Sequence, residues 1–180
     1  MRWHLVHSFV REAWTLFETA LGFPHEGAEM SEHRANVHWN RNGKEFKPKE
    51  YSRDHVWKFV GGNEVHASAA PQYLGNPALV DPEEAFVASL CSCHMLTFLS
   101  LAARDGFVVD DYEDEAVGLM ERNAERRIAI TKVVLRPKIT WNGEPPSPEA
   151  LEKLHENAHK HCFIANSVKT EITVEGMHVP

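Results

Sequence analysis

Three cysteines and a run of histidines are the side chains of this sequence best suited to chemistry. Cys91 and Cys93 lie two residues apart in an apolar stretch, and Cys162 follows His155, His159 and His161. On a helix, two residues span about 200° of rotation, so Cys91 and Cys93 cannot act together on one substrate. A small, odd number of cysteines makes no disulfide framework, and a reducing, cytoplasmic compartment is expected. A buried cysteine is commonly just a small hydrophobe. Cys162, however, sits at the polar, His-rich end of its helix, an unusual place for a merely structural thiol. Zinc is the competing chemistry: His155 and His159 share a helical face, and His161-Cys162 with Cys93-His94 are ligand types. Against it, Cys-Ser-Cys-His on a helix is not the spacing of a closed site. His38, His55 and His66 read as strand or rim residues.

These groups are placed by an α+β order of elements: strands, helix, two strands, helix, strand. Residues 34–70 read as strands and turns. Asn42-Gly43 is a hairpin turn signal, and His55–Val60 and Glu64–Ala69 form a hairpin about Gly61-Gly62-Asn63. Asp81-Pro82-Glu83-Glu84 is a helix start. Asp81 caps, Pro82 suits the first helical position, and Glu84 completes a capping box. That helix is expected from Pro82 to about Arg104, ending at Asp105-Gly106. Its middle is apolar or small nearly all the way round, so it must be covered on every side, which in so small a domain suggests a second subunit. The run Leu90–Ala103 is too short and too flanked by charge to span a bilayer. Phe107–Glu121 and Arg126–Asn142 read as two strands, Ser147-Pro148-Glu149 opens a second helix to about His161, and Ser167–Val174 is a closing strand.

The stretch Asp81-Pro82-Glu83-Glu84-Ala85-Phe86-Val87-Ala88-Ser89-Leu90-Cys91-Ser92-Cys93-His94-Met95 resembles the signature of the OsmC/Ohr proteins, the osmotically inducible and organic hydroperoxide resistance family. There a Pro-Glu-Glu helix start is followed ten residues later by the reactive cysteine, the spacing of Glu83 to Cys93. The second family cysteine usually opens a Cys-Pro-x-Ser-like stretch. Cys162-Phe163-Ile164-Ala165-Asn166-Ser167 lacks that proline and resembles an OsmC-like branch instead. The similarity spans roughly His33 to Glu175. It implies an OsmC-like fold with an intertwined homodimer and a peroxidase that reduces alkyl or lipid hydroperoxides to alcohols without a cofactor. It further implies Cys93 as peroxidatic thiol, Cys162 as its resolving partner, and a dithiol reductant, either a small molecule or a lipoylated protein. An arginine from the N-terminal strands would hold the thiolate. Arg53 is preferred over Arg41 because it precedes the strand pair that ends at Pro71, and Glu83 is the counter-charge. Cys91 is left to packing.

Physical chemistry constrains that assignment. A free thiol titrates near pH 8.5, and Cys93 lies about eleven residues into its helix, beyond the reach of the N-terminal dipole. A cation must therefore stabilise its thiolate, and a cation in an apolar pocket needs a counter-charge. Ten residues at ~1.5 Å rise put Glu83 about 15 Å along the axis from Cys93, so the two cannot touch within one straight helix. The site is expected to be assembled across a dimer interface, unless Arg53 bridges the gap. Phe86, Met95 and Phe98 are expected to form an apolar wall favouring organic over hydrogen peroxide.

Composition narrows the classes further. With 19 Lys and Arg against 26 Asp and Glu, the net charge is −7, which gives no electrostatic reason to bind nucleic acid or an anionic membrane. The first 23 residues carry His7, Arg11 and Glu12 within the apolar run and read as an amphipathic helix, not a signal peptide. Residues 1–29 are expected to be either an extra helix or an over-long start assignment, with one domain over 30–180. The five tryptophans are assigned to core packing. No nucleophile elbow or Gly-rich phosphate loop occurs. A zinc protein and a non-catalytic small-molecule-binding module on the same fold remain the alternatives to the peroxidase.

Overall fold

A computed structural model describes residues 31–175, so the expectations for residues 1–29 lie outside the described residues. Strands β1 (Ala35–His38), β2 (His55–Phe59) and β3 (Glu64–Ala67) form an antiparallel sheet in that order. The β2–β3 turn closes through Gly62, whose φ of +83° suits a residue without Cβ. Asn42-Gly43 does turn the chain, with φ of 50° and 72°, but no strand follows it directly. β1 pairs instead with β2, Val37 opposite Trp57, leaving a long loop from Trp39 to Asp54.

Helix α1 (Pro82–Arg104) begins as the sequence dictates. The Glu84 amide donates to Asp81 Oδ1 at 2.8 Å, and the Asp81 amide donates to Glu84 Oε2 at 3.1 Å. It ends at Asp105 and Gly106, the latter at φ +84°.

The two long strands expected over 107–142 are four: β4 (Val108–Asp114), β5 (Val117–Arg122), β6 (Ile128–Leu135) and β7 (Pro137–Asn142). β5 pairs with β6 and β4 with β7, so they form one long hairpin broken at the same level on both arms. Pro137 has no N–H for a continuous ladder, and the Arg136 amide donates sideways to Asp114 Oδ1 at 2.6 Å. The break lets the outer half join a different sheet from the inner half. Helix α2 (Pro148–His161) is capped by Ser147, whose Oγ accepts from the Ala150 amide. A 3-10 turn over Ala165–Ser167 follows, and β8 (Glu171–Val174) runs parallel to β6.

α1 serves two cores. Leu90 packs with Val133, Leu135, Ile172 and Val174 of the β5-β6-β8 sheet. Further along, Phe98, Leu101 and Ala102 pack on Leu154 and Ala158 of α2. Gly118 of β5 lies so close to α1 that an added Cβ would come within 2.6 Å of Val87 Cγ2.

Within one chain α1 is covered on one side only, and the other side is where the expected second subunit would lie. Glu84, Ala88, Ser92 and Leu96, spaced by four, form an exposed stripe, and Leu96 is 63% exposed. The apolar stretch is also longer than the run Leu90–Ala103. By length and composition the 23-residue α1 could cross a membrane, with a mean hydropathy of 1.7 over its best window. The burial of Leu90, Phe98 and Leu101 against sheet and helix is what marks it as a core helix.

Candidate active site

Cys93 and Cys162 meet. Cys93 is half-buried on α1, and Cys162 is the buried residue that ends α2, its amide donating to the His159 carbonyl at 3.2 Å. The chain then curls around the Cys162 sulfur, which accepts from the Ala165 amide at 3.4 Å. Burial and a hydrogen bond to the Cys93 sulfur push the Cys162 thiol up to about 12, so the shared proton stays on Cys162. The 3-10 turn after Cys162 forms without the proline of the usual motif.

Arg53 and Glu83 are not brought to Cys93 within the chain. Arg53 lies half-buried in an aromatic cleft of about 430 Å³ lined by Trp39, Phe46, Tyr51, His55 and Pro82. Its guanidinium donates to the Tyr51 carbonyl and sits 4.0 Å over the Tyr51 ring. Among the described residues no carboxylate pairs with it. Arg41, the other candidate, is exposed on the tight turn and donates to the Lys44 carbonyl at 2.7 Å. Trp39 faces this cleft and is 38% exposed, so the assignment of every tryptophan to core packing fails there.

Glu83 lines a larger cavity of about 910 Å³ over the exposed side of α1, together with Ala88, Cys91, Met95, Asp114 and Met120. Cys91 packs against the sheet core, as expected, and also lines this cavity. Burial first, and the Asp114 carboxylate second, push its thiol up to about 12. Asp114 is itself raised by burial. Of the expected apolar wall, Met95 lines this cavity, but Phe86 packs on the sheet core and Phe98 is fully buried.

A family model described as OsmC-like protein matches residues 75–176. The chain belongs to the OsmC-like family. An OsmC-like protein of unknown function from Vibrio cholerae has a similar structure, with a TM-score of 0.78 and 49% identity over 81% of this chain and 99% of that one. An organic hydroperoxide resistance protein from Legionella pneumophila has a TM-score of 0.59 at 18% identity, covering 81% of this chain and 98% of its own. One from Elizabethkingia anophelis reaches 0.61 at 17%, covering 82% and 97%. These two share the fold. No curated protein matches the chain.

In this OsmC-like chain two of the histidines expected to compete as zinc ligands are bonded to each other. His94 Nε2 and His155 Nδ1 are hydrogen-bonded at 3.0 Å across α1 and α2, with rings nearly parallel and both residues buried. Burial pushes His94 down to about 3, assisted by His155 and His159, and pushes His155 down to about 4. Both are therefore neutral at physiological pH. Among the described residues no group of three His, Cys, Asp or Glu is arranged to hold a metal. His94 and His155, grouped by the sequence only as candidate zinc ligands, are instead bonded directly to each other. Helical periodicity puts each on a buried face, but nothing in one sequence says that these faces meet.

Proposed function

We propose that this OsmC-like chain is a two-cysteine thiol peroxidase that reduces organic hydroperoxides, and that it acts as a homodimer in the cytoplasm. The observation that carries the reading is that the Cys93 and Cys162 thiols, far apart in sequence, lie close enough to interact, a nucleophile beside a candidate resolving partner. The Cys93 thiolate attacks the terminal peroxide oxygen, the O–O bond breaks, and the alkoxide leaves as the alcohol after taking up a proton. Cys93, now a sulfenic acid, is attacked by the Cys162 sulfur. The sulfenic hydroxyl departs with the Cys162 proton as water, and the disulfide is reopened by a dithiol, small or lipoylated. Names of fold neighbours such as the Legionella protein agree with this chemistry.

The dimer completes the charge balance. The stripe Ala88, Ser92 and Leu96 lets a second α1 approach closely, and antiparallel packing about Ala88 sets Glu83 of one helix level with Cys93 of the other. Arg53, whose cleft includes Pro82 at the same helix start, then arrives with Glu83 as cation and counter-charge. The apolar cavity beside this face favours an alkyl or aryl peroxide over hydrogen peroxide.

The test is consumption of cumene hydroperoxide with a dithiol donor by wild type, Cys93→Ser and Cys162→Ser. Turnover is expected to fall at least ~100-fold in both variants, as when an essential nucleophile is lost. Equal turnover in all three would end the proposal.

A further inference from the structure

We infer that His94 and His155 are positioning residues, whose bond between α1 and α2 sets Cys93 against Cys162 for disulfide closure. The inference rests on the two-cysteine reading above, but its geometry stands on the structure alone. His94 is the residue after Cys93, and His155 lies two helical turns before Cys162. The two helices therefore touch at two polar points, imidazole on imidazole and thiol on thiol, within an otherwise apolar contact of Phe98, Leu101, Ala102, Leu154 and Ala158. Phe98 stacks on His155 at 4.4 Å between ring centroids and holds the ring plane.

This pair is poorly explained as a source of stability. His94 Nδ1 and His155 Nε2 are both buried without a partner. Whichever ring donates, the accepting ring keeps its hydrogen on the far nitrogen, where nothing receives it. A well-packed apolar pair would avoid that penalty. What an apolar pair would not supply is register. Leucines tolerate a slide or rotation of α2 along α1, whereas a single directional bond does not. A slip of one residue on α1 moves the side chain by about 100°, enough to turn Cys93 away from Cys162. Register here means sulfur against sulfur.

The bond uses Nε2 of His94 and Nδ1 of His155, which allows a chemical test. Glutamine places a polar atom near the Nε2 position and asparagine near Nδ1. The full chain is oxidised with diamide, which needs no peroxide step, and closure of Cys93–Cys162 is followed by mass and by counting alkylatable thiols. His155→Asn and His94→Gln are expected to close within about threefold of wild type, and His155→Gln and His155→Leu at least ~10-fold more slowly. Alkylation of Cys93 itself should stay within about threefold throughout, which a general loosening of the fold would not allow. Equal closure rates for His155→Asn and His155→Gln would overturn the inference even if His155→Leu fails to fold. So would a wild-type protein that diamide cannot close. Wild type that closes but leaves cumene hydroperoxide untouched would sink the peroxidase reading and spare this one.

Discussion

At the scale of single residues, Cys91 and Cys93 are near neighbours in sequence with opposite surroundings. Cys91 faces Asp114, whose carboxylate opposes a second negative charge, while Cys93 faces a thiol that can donate a hydrogen bond to it. A thiol held near 12 is almost wholly protonated at pH 8, since each unit between pH and pKa reduces the thiolate tenfold. Brief treatment of the reduced protein with iodoacetamide at pH 8 should therefore label Cys93 at least ~10-fold faster than Cys91 or Cys162, read by peptide mass. Replacing Asp114 with Asn removes the charge beside Cys91 and should speed its labelling without altering that of Cys93. Labelling of Cys91 first would show that the nucleophile had been assigned to the wrong sulfur.

At the scale of elements, α1 poses the main question, because a helix apolar on every side has only one side covered. The stripe Ala88, Ser92 and Leu96 is small in its middle, so a bulky cation there should prevent close packing of two copies. Ser92→Lys is expected to turn a dimer into a monomer in light scattering at micromolar concentration, with peroxide turnover falling at least ~10-fold. The substituted residue lies outside both chain-internal cores, so the melting transition should survive. A monomeric wild type with full turnover would refute the interface. The helix was legible because its determinants are local: Asp81, Pro82 and Glu84 state its start, and Asp105-Gly106 its end. The break at Arg136-Pro137 was not, because proline within an apolar alternating run can mark an edge strand or a bend, and only the Arg136 amide turning to Asp114 decides it. The same holds for the site. Cys93 and Glu83 were singled out by resemblance to the family signature on one helix, whereas the contacts of Cys93 with Cys162 and of His94 with His155 are long-range pairings that no local pattern encodes. Trp39 was misassigned for a related reason: a tryptophan in a strand-rich segment fits a core or a cleft wall equally well.

At the scale of the whole molecule, the buried imidazoles tie stability to pH. His94 and His155 have folded pKa values pushed down to about 3 and about 4, against an unfolded value near 6.5. As pH falls below about 6.5 the unfolded chain takes up two protons that the native fold refuses, so stability declines as the medium is acidified. The decline levels off only when the native histidines titrate, near pH 3 to 4. Linkage limits the slope to about 1.4 kcal/mol per pH unit for each histidine. Asp114, held above the ordinary carboxylate range by burial, works in the opposite direction and reduces the net slope. The exposed ion pairs of the surface contribute little. Denaturant unfolding followed by tryptophan fluorescence should show stability dropping between pH 7 and pH 5. The His94→Gln/His155→Asn double variant keeps a polar bond at that place and cannot be protonated, so its curve should be flatter over the same interval. An identical pH slope in the two proteins would mean that the imidazoles take up protons in the native state, and that α1 and α2 separate far more readily than their shared core of Phe98, Leu101 and Leu154 suggests.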